Sequence, residues 1–441
     1  MLVTGRNWGV YMVGKRVLNN AKWIMLCKIM QAALQFVVGM LSARYLGPSN
    51  YGLINYAASL VAFFVPIMQL GLRSTLVQEY VEEPDQEGVI LGTSLAMNIV
   101  SSLACIVGVT TFAMVANFGE EVTIWVCALY SLSLLFQAME MLQYWFQAKL
   151  LSKYSSLAML VSYVVVSAYK IYLLASGKSV YWFALSHAVE YGCTSILLLV
   201  AYKIKGTQKI TFSWKIARKL LDKSKYYIVA TLMVVVFNST GNILLKFFFS
   251  EAENGFYAAA VTCTTMTGFV FNAIIDTARP VILESKQRSR EEFEKSVSVT
   301  YCLLNYLALA QSICFTVLGS LVIQILYGEE YISAVPVLQI VNWNVAFANM
   351  GAVRNIWILG EEKHKILWII NAAGAVANIL INICLIPLWG ACGAAAAAVL
   401  TQLFTNFIMG FVLRDIRPNN RLILKSLNPK LLIESVAALK K

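Results

Sequence analysis

The chain has 441 residues, of which 59% are hydrophobic and 13% are charged, and its mean hydropathy is +0.68. This apolar excess excludes an ordinary soluble protein and indicates a polytopic membrane protein, with roughly a dozen helices at about 20 residues per span. The net charge of +12 collects in alternate loops, as topology signals do, so no nucleic-acid partner is expected.

Twelve apolar segments follow one another along the chain, and each is predicted to be a transmembrane helix, because only helices satisfy their own backbone hydrogen bonds within lipid. Their bounds are 22–43, 52–72, 89–115, 122–147, 155–176, 180–202, 226–249, 256–276, 295–318, 332–359, 366–386 and 390–413. The first two form a hairpin. Gly47 and Pro48 end the first helix, and the second begins near Gly52, so these residues are predicted to shape an outer turn that takes part in gating.

Two features indicate an internal duplication. Amphipathic connectors at 72–88 and 278–295 each follow the second span of a half and are expected to lie as elbow helices on the membrane surface. The segment EAENGFYAAAVT aligns with PSNYGLINYAAS, so that Gly255 matches Gly52 and is assigned the same role in the turn. The predicted fold is therefore an all-α integral membrane protein with two six-helix lobes related by an internal repeat.

The domain boundaries follow from the same pattern. We predict a cytoplasmic N-terminus (1–21), a first lobe (22–202), a basic cytoplasmic connector (203–225), a second lobe (226–413) and a basic cytoplasmic tail (414–441). The basic residues between the spans lie almost entirely in one set of loops, which includes both termini, whereas the opposite set contains only Arg44 and Lys178. Both termini are therefore predicted to be cytoplasmic.

Four basic residues fall inside the spans: Lys28, Lys170, Lys246 and Arg354. A charge at bilayer depth costs at least about 2.5–3.5 kcal/mol, so such residues usually face an aqueous cavity or a partner, and an excess of cations indicates an anionic substrate such as a pyrophosphate. Lys28 and Lys170 are the deeper pair and are favoured, whereas Lys246 and Arg354 lie near span ends and are able to snorkel.

Four further titratable residues in or near the spans are candidates for coupling to an ion: Glu140, His187, Glu190 and Asp276. His187 and Glu190 share a helical face at i, i+3, where a proton or cation can be exchanged. The alternative is that Glu140 and Glu190 pair with Lys28 and Lys170 and simply hold helices together, and the sequence leaves both interpretations open.

Amide side chains recur at helical spacing in several spans. Such groups suit the hydroxyls of a glycan, and they serve equally well as hydrogen-bonding groups between packed helices. The candidates are Gln31, Gln35, Asn238, Asn242, Asn342, Asn349, Asn371, Asn378 and Asn382.

The sequence contains no catalytic constellation. It has no phosphate-binding P-loop, and His187 and His364 have no metal-ligand spacing. Nine cysteines are scattered without a C-x-x-C pair, which indicates neither disulfides nor zinc. We therefore expect neither an enzyme nor a cofactor or metal.

Three motifs, together with the paired connectors, carry a family resemblance: ARYLGPSNYG (43–52), LYGEEYISAVPVLQI (326–340) and LIPLWGACGAA (385–395). In this order the chain resembles the polysaccharide biosynthesis transporter family, the Wzx-type flippases of the MATE-like MOP superfamily. The resemblance implies a V-shaped, two-lobed bundle in the bacterial cytoplasmic (inner) membrane. It also implies that, by alternating access, the protein moves undecaprenyl-pyrophosphate-linked oligosaccharide to the outer leaflet for lipopolysaccharide O-antigen or capsule.

The same resemblance implies coupling to an ion gradient, for which H⁺ or Na⁺ is expected. We also expect a polymerase and glycosyltransferases as partners, and a monomer. Two other functions stay open. An ion-coupled multidrug or cation antiporter of the same fold would prefer an acidic cavity, which the four intramembrane cations oppose. A non-transporting membrane component of polysaccharide assembly would be expected to have a large external loop, and the predicted loops are short.

Overall fold

The computed structural model describes the backbone of residues 4–206 and 208–428, and within those ranges the side chains of residue 24 and of residue 26 onward. Every regular element in these ranges is a helix. Two parts of the topology prediction lie outside the described residues. They are the basic side chains of residues 1–21 and residues 429–441 of the predicted tail.

Seventeen α-helices are described, with short 3₁₀ turns and one π-helical turn (Phe404–Ile408) between them. Their bounds are α1 Thr4–Met68, α2 Leu76–Glu82, α3 Glu87–Ala116, α4 Glu121–Ser131, α5 Ser133–Gln137, α6 Met141–Ala148, α7 Ser152–Ala175, α8 Val180–Lys205, α9 Trp214–Phe248, α10 Glu251–Thr265, α11 Gly268–Arg288, α12 Arg290–Tyr327, α13 Ala334–Val341, α14 Asn344–Gly360, α15 His364–Leu403, α16 Met409–Val412 and α17 Arg417–Ser426.

Among the described residues, eight helical segments are long and apolar enough to cross a membrane, or nine if the bent pair α10–α11 is one span. This number is lower than the twelve predicted spans because some predicted spans are joined and one is divided. Predicted spans 1 and 2 form one continuous helical segment, as do spans 11 and 12, and these segments of 43 and 49 residues are each long enough for two crossings. The predicted tenth span is divided between α13 and α14.

The two long helices bend at glycines. Gly47 interrupts α1 with φ 69° and ψ 170°, and Gly390 interrupts α15 with φ 53° and ψ −129°. Residues with a Cβ rarely adopt positive φ, so glycine allows the helix to kink at these two positions without a loop. The turn predicted at Gly47 is therefore present as a kink within α1 rather than as a loop.

The first predicted connector is helical but short, since it comprises α2 between two 3₁₀ turns at Leu72–Ser74 and Pro84–Gln86. The second does not form a separate elbow helix. Residues 278–288 instead continue α11 through Pro280, and the bend of 43° lies before α11. Proline removes only one helical hydrogen bond, so an amphipathic segment is able to continue the helix across it.

The chain divides into two compact units. The first consists of Met1–Tyr45 with Ala57–Leu232, and the second of Leu46–Tyr56 with Met233–Lys441, so one boundary lies inside α9. The buried core of the first unit is built around Tyr80 and Trp145. That of the second is built around Phe293, Tyr301 and Trp357.

An ionic cluster fastens α2 to the start of α9 within the first unit. Glu79 is 1% exposed and accepts hydrogen bonds from Lys219, at 2.6 Å, and from Lys223. Lys219 also pairs with Glu83. Burial raises the pKa of Glu79, but the hydrogen bonds and charges of the two lysines outweigh burial and hold the pKa below its ordinary value.

Glu79→Gln is expected to lower the free energy of unfolding by about 2 kcal/mol at neutral pH, because both lysines lose their shared carboxylate but stay partly exposed. Since the folded pKa lies below the unfolded value, this contribution is present above the unfolded pKa and is lost as pH falls through the folded pKa. Thermal unfolding of the purified protein against pH measures it. Glu284→Gln, which removes an exposed pair with Arg288, is the matched control and should change little; equal losses in the two variants would contradict the prediction.

Candidate functional site

The second unit contains a cavity of about 350 Å³ between α9, α10, α11, α14 and α15. None of the residues that line it is charged. Its polar lining consists of six amides and four hydroxyl groups, from Asn238, Asn272, Asn344, Asn349, Asn378, Gln402, Tyr257, Thr264, Thr265 and Thr401. Phe237 and Phe271 supply aromatic faces. The cavity therefore offers neutral hydrogen-bonding groups beside aromatic rings.

Three of the predicted amides line this cavity: Asn238, Asn349 and Asn378. Asn378 donates to the Thr401 hydroxyl at 3.3 Å and accepts from Asn382, which supports it from one turn away. Asn349 is only 9% exposed, and its Nδ2 has no hydrogen-bond partner among the described residues. A buried donor without a partner is costly, which is the condition expected of a group that binds a ligand.

The other predicted amides lie elsewhere. Asn342 is buried and accepts a hydrogen bond from Gln311 at 3.2 Å. Asn242 and Asn371 are partly buried outside the cavity lining, and on α1 Gln31 is partly buried and Gln35 exposed. Three lining amides were not predicted, namely Asn272, Asn344 and Gln402. Asn272 is the one amide of its predicted span, whereas Gln402 did have a signal, since Asn406 follows it at i, i+4 and donates to it at 2.6 Å.

The four intramembrane cations are in different surroundings. Arg354 is 3% exposed and donates to the Thr405 carbonyl at 2.6 Å and to Asn355 at 3.0 Å, which ties α14 to the π-helical turn. Lys246 forms an ion pair with Glu251 at 2.5 Å. Lys28 is exposed on α1. Their roles toward a substrate stay predictions.

The fourth cation, Lys170, lies in the first unit. It lies on α7, which packs beside α8, and α8 bears Glu190, which is 9% exposed. His187 Nδ1 lies 3.9 Å from Glu190 Oε2, and its ring packs at 4.4 Å on Tyr130. Two predicted coupling residues, His187 and Glu190, therefore lie together, and Lys170 is on the neighbouring helix.

The remaining acids are separate. Glu140 is partly buried in the 3₁₀ turn that follows α5. Asp276 is exposed on α11 in the second unit.

The motif glycines meet at a close helix crossing in the second unit. A Cβ at Gly52 would overlap the Glu251 carbonyl oxygen and lie 2.6 Å from the Gly255 nitrogen, and a Cβ at Gly255 would overlap the Pro48 carbonyl oxygen. Asn254 Nδ2 donates to the Gly52 carbonyl at 2.7 Å. We call residues 47–52 and 251–255 the glycine crossing.

The other two sequence motifs contact the same crossing. Tyr331 packs edge-on against Tyr51, with 6.4 Å between ring centroids, and against Phe256 at 6.1 Å. At the second kink, Glu253 Oε2 accepts the N–H of Ala391 at 2.8 Å, where the carboxylate caps the helix that resumes after Gly390. Segments that are far apart in sequence thus form one packed cluster.

The fold is that of a multi-pass membrane transporter. The lipid II flippase MurJ, in an inward closed conformation, aligns with a TM-score of 0.75 and 12% identity over 94% of this chain and 92% of that chain. A multidrug resistance MATE family transporter of the MOP superfamily, in its inward-facing conformation, aligns with a TM-score of 0.68 and 14% identity over 89% and 96%. These similarities confirm the predicted fold class.

The family follows from the sequence. Residues 17–286 match the family described as "Polysaccharide biosynthesis protein", and the chain belongs to that family. The capsular polysaccharide biosynthesis protein CapF of Staphylococcus aureus is 20% identical over 88% of this chain and 96% of CapF. The probable low-salt glycan biosynthesis flippase Agl15 of Haloferax volcanii is 21% identical over 88% of this chain and 83% of Agl15. The predicted family is thereby confirmed.

Proposed function

We propose that the protein is a flippase that moves undecaprenyl-pyrophosphate-linked oligosaccharide from the cytoplasmic to the outer leaflet by alternating access. In this proposal it works as a monomer in the bacterial cytoplasmic membrane with both termini inside. A polymerase and glycosyltransferases act on the same lipid-linked glycan. The observation that carries the proposal is the uncharged, amide-rich cavity of the second unit.

The composition of this cavity fits a glycan better than a drug cation. Amides and hydroxyls exchange hydrogen bonds with sugar hydroxyls, and Phe237 and Phe271 offer apolar faces on which a sugar ring is able to rest. A site for a lipophilic cation would be expected to contain a carboxylate, and none lines this cavity. This difference favours the flippase over the antiporter of the same fold.

The charged part of the substrate requires a different environment. A pyrophosphate in a membrane protein needs cationic partners. Arg354 already binds a backbone carbonyl and Lys246 already pairs with Glu251, so Lys170 and Lys28 are the candidates. In this proposal the cations bind the pyrophosphate and the amides of the cavity bind the glycan, while the prenyl chain stays in lipid.

Alternating access also needs a closure that opens on one side. We assign that role to the glycine crossing. Its two backbones pack closely because no side chains lie between them, so they can separate without moving interdigitated side chains. The predicted topology puts this crossing at the outer face. Its opening would release the glycan, and its closure would prevent a continuous pore.

Depletion of the protein in its host tests the function, with the sidedness of lipid-linked oligosaccharide read by a label that does not cross the membrane. We expect this oligosaccharide to accumulate at the cytoplasmic face. Wild type and the control Lys203→Ala, an exposed residue at the end of α8, should restore outward movement, whereas Lys170→Ala and Lys28→Ala should not. Normal labelling of the outer leaflet, together with new sensitivity to cationic drugs, would refute the flippase and favour the antiporter.

A further inference from the structure

The cavity of the second unit has two polar atoms without partners, and they are of opposite kinds. Asn344 Oδ1, a hydrogen-bond acceptor, and Asn349 Nδ2, a donor, are both buried and bond to no described residue. Both residues lie on α14 and line the cavity. A buried donor or acceptor without a partner costs about 1–3 kcal/mol, so a ligand that supplied both partners would remove two such costs.

Several other polar groups of the lining are already engaged within the protein. The hydroxyls of Thr264 and Thr401 donate to carbonyls of their own helices, at 2.8 Å and 2.7 Å. Asn238 donates to a carbonyl of its own helix at 3.2 Å, and Asn378 donates to the Thr401 hydroxyl. The two asparagines of α14 differ from these groups because each has an atom whose hydrogen bond is unmet.

The spacing of the two asparagines suits an amide group. They stand at i, i+5 on α14, which corresponds to a rise of about 7.5 Å. A single hydroxyl that donates and accepts bridges atoms about 5–6 Å apart. A secondary amide, whose nitrogen and oxygen lie about 2.3 Å apart, bridges atoms about 8 Å apart. Its N–H and C=O point in opposite directions, and rotation about χ2 turns each asparagine amide toward it.

Two neighbouring hydroxyls of a sugar ring would span a similar distance, and the apolar part of the lining separates the two cases. Val345 and Ala348 lie between the asparagines along α14 and line the same cavity. A methyl group next to an amide fits this surface, whereas ring hydroxyls would lose water there without gaining a partner. An acetamido group offers the donor, the acceptor and the methyl group together.

We propose that this cavity recognises the acetamido group of an N-acetylated amino sugar. The N–H of the acetamido group donates to Asn344 Oδ1, Asn349 Nδ2 donates to its carbonyl oxygen, and its methyl group packs on Val345 and Ala348. This inference rests on the proposed function, since it identifies the kind of sugar that the glycan would present to the cavity.

The test uses the full-length protein in lipid nanodiscs and three probes. Each probe is farnesyl pyrophosphate linked to a glucose ring, and the probes differ only at C2, which has an acetamido group, an acetate ester or a hydroxyl. The wild type should bind the acetamido probe at least about fivefold more tightly than the hydroxyl probe. The ester probe should bind with intermediate affinity, because it keeps the carbonyl but has no N–H.

Variants of the two asparagines separate the two hydrogen bonds. Asn344→Leu removes the acceptor, so it should bind the acetamido and ester probes equally. Asn349→Leu removes the donor to the carbonyl, so it should bind the ester and hydroxyl probes equally. The matched control is Asn371→Leu, at a partly buried residue of α15 outside the lining, and it should keep the wild-type order of affinities.

The outcomes separate this inference from the proposed function. If the wild type binds all three probes within about twofold of one another, acetamido recognition is refuted and the flippase stands. If the wild-type preference survives in both leucine variants, the acetamido group binds elsewhere and the assignment to α14 is wrong. If the wild type binds none of the probes, the proposed function itself fails. Should the leucine variants not fold, the wild type decides, because equal affinities for the acetamido and ester probes would show that no acceptor meets the N–H.

Discussion

Gly52→Leu is expected to abolish outward movement of lipid-linked oligosaccharide while the protein still inserts into the membrane. Even a Cβ at this position would overlap the Glu251 carbonyl oxygen, and a leucine would force the two backbones of the glycine crossing apart. The crossing would then be unable to close, and transport by alternating access requires closure in each cycle. The measurement is the leaflet-specific labelling of lipid-linked oligosaccharide in depleted cells that express the variant.

The matched control is Gly39→Leu, because Gly39 lies in the same helix and a Cβ there would meet nothing within 4 Å. It should transport as well as the wild type. Gly255→Ala examines the opposite side of the crossing, since its Cβ would overlap the Pro48 carbonyl oxygen, and it should also impair transport. Normal flipping by Gly52→Leu at wild-type expression would show that the crossing need not close.

The sequence predicted the turn at Gly47 and Pro48 because the chemistry of proline and glycine is local. It also aligned Gly52 with Gly255 as equivalent residues of two halves, but an alignment carries no information about whether equivalent residues touch. Only the folded chain brings them together, with Asn254 donating to the Gly52 carbonyl. The helices themselves were predictable from hydropathy alone, whereas the continuous helices through Gly47 and Gly390 were not, because a kink and a loop leave the same apolar pattern.

The candidate site was predictable only in part for a similar reason. Hydropathy identifies Lys170, Lys246 and Arg354 as charges within apolar segments and gives the depth of each, but it does not give their partners. What separates two of them is the partner of each, which is Glu251 for Lys246 and a backbone carbonyl for Arg354. Partners of this kind come from other helices, so their identity depends on tertiary packing and has no signal in the local sequence.

Asn349→Asp is expected to reduce flipping by more than about tenfold, because it puts a carboxylate into a cavity that has no charged lining. The Asn349 amide nitrogen donates to no described residue, so the substitution breaks no such hydrogen bond within the protein. The loss of flipping would come from repulsion between the new carboxylate and the anionic substrate. If the protein were instead a cation antiporter, the same carboxylate should strengthen the binding of a lipophilic cation. Leaflet-specific labelling and cation binding to the purified variant measure the two effects.

Two further variants separate charge from structure. Asn349→Leu removes a buried donor without a partner and should leave the thermal stability unchanged or higher, while flipping falls by about two- to tenfold through one lost hydrogen bond to the glycan. Asn371→Asp is the matched control, because Asn371 is partly buried on α15 but does not line the cavity, and it should transport nearly as the wild type does. Equal losses in Asn349→Asp and Asn371→Asp would contradict the assignment of the glycan to this cavity, since a negative charge anywhere in the second unit would then account for the effect.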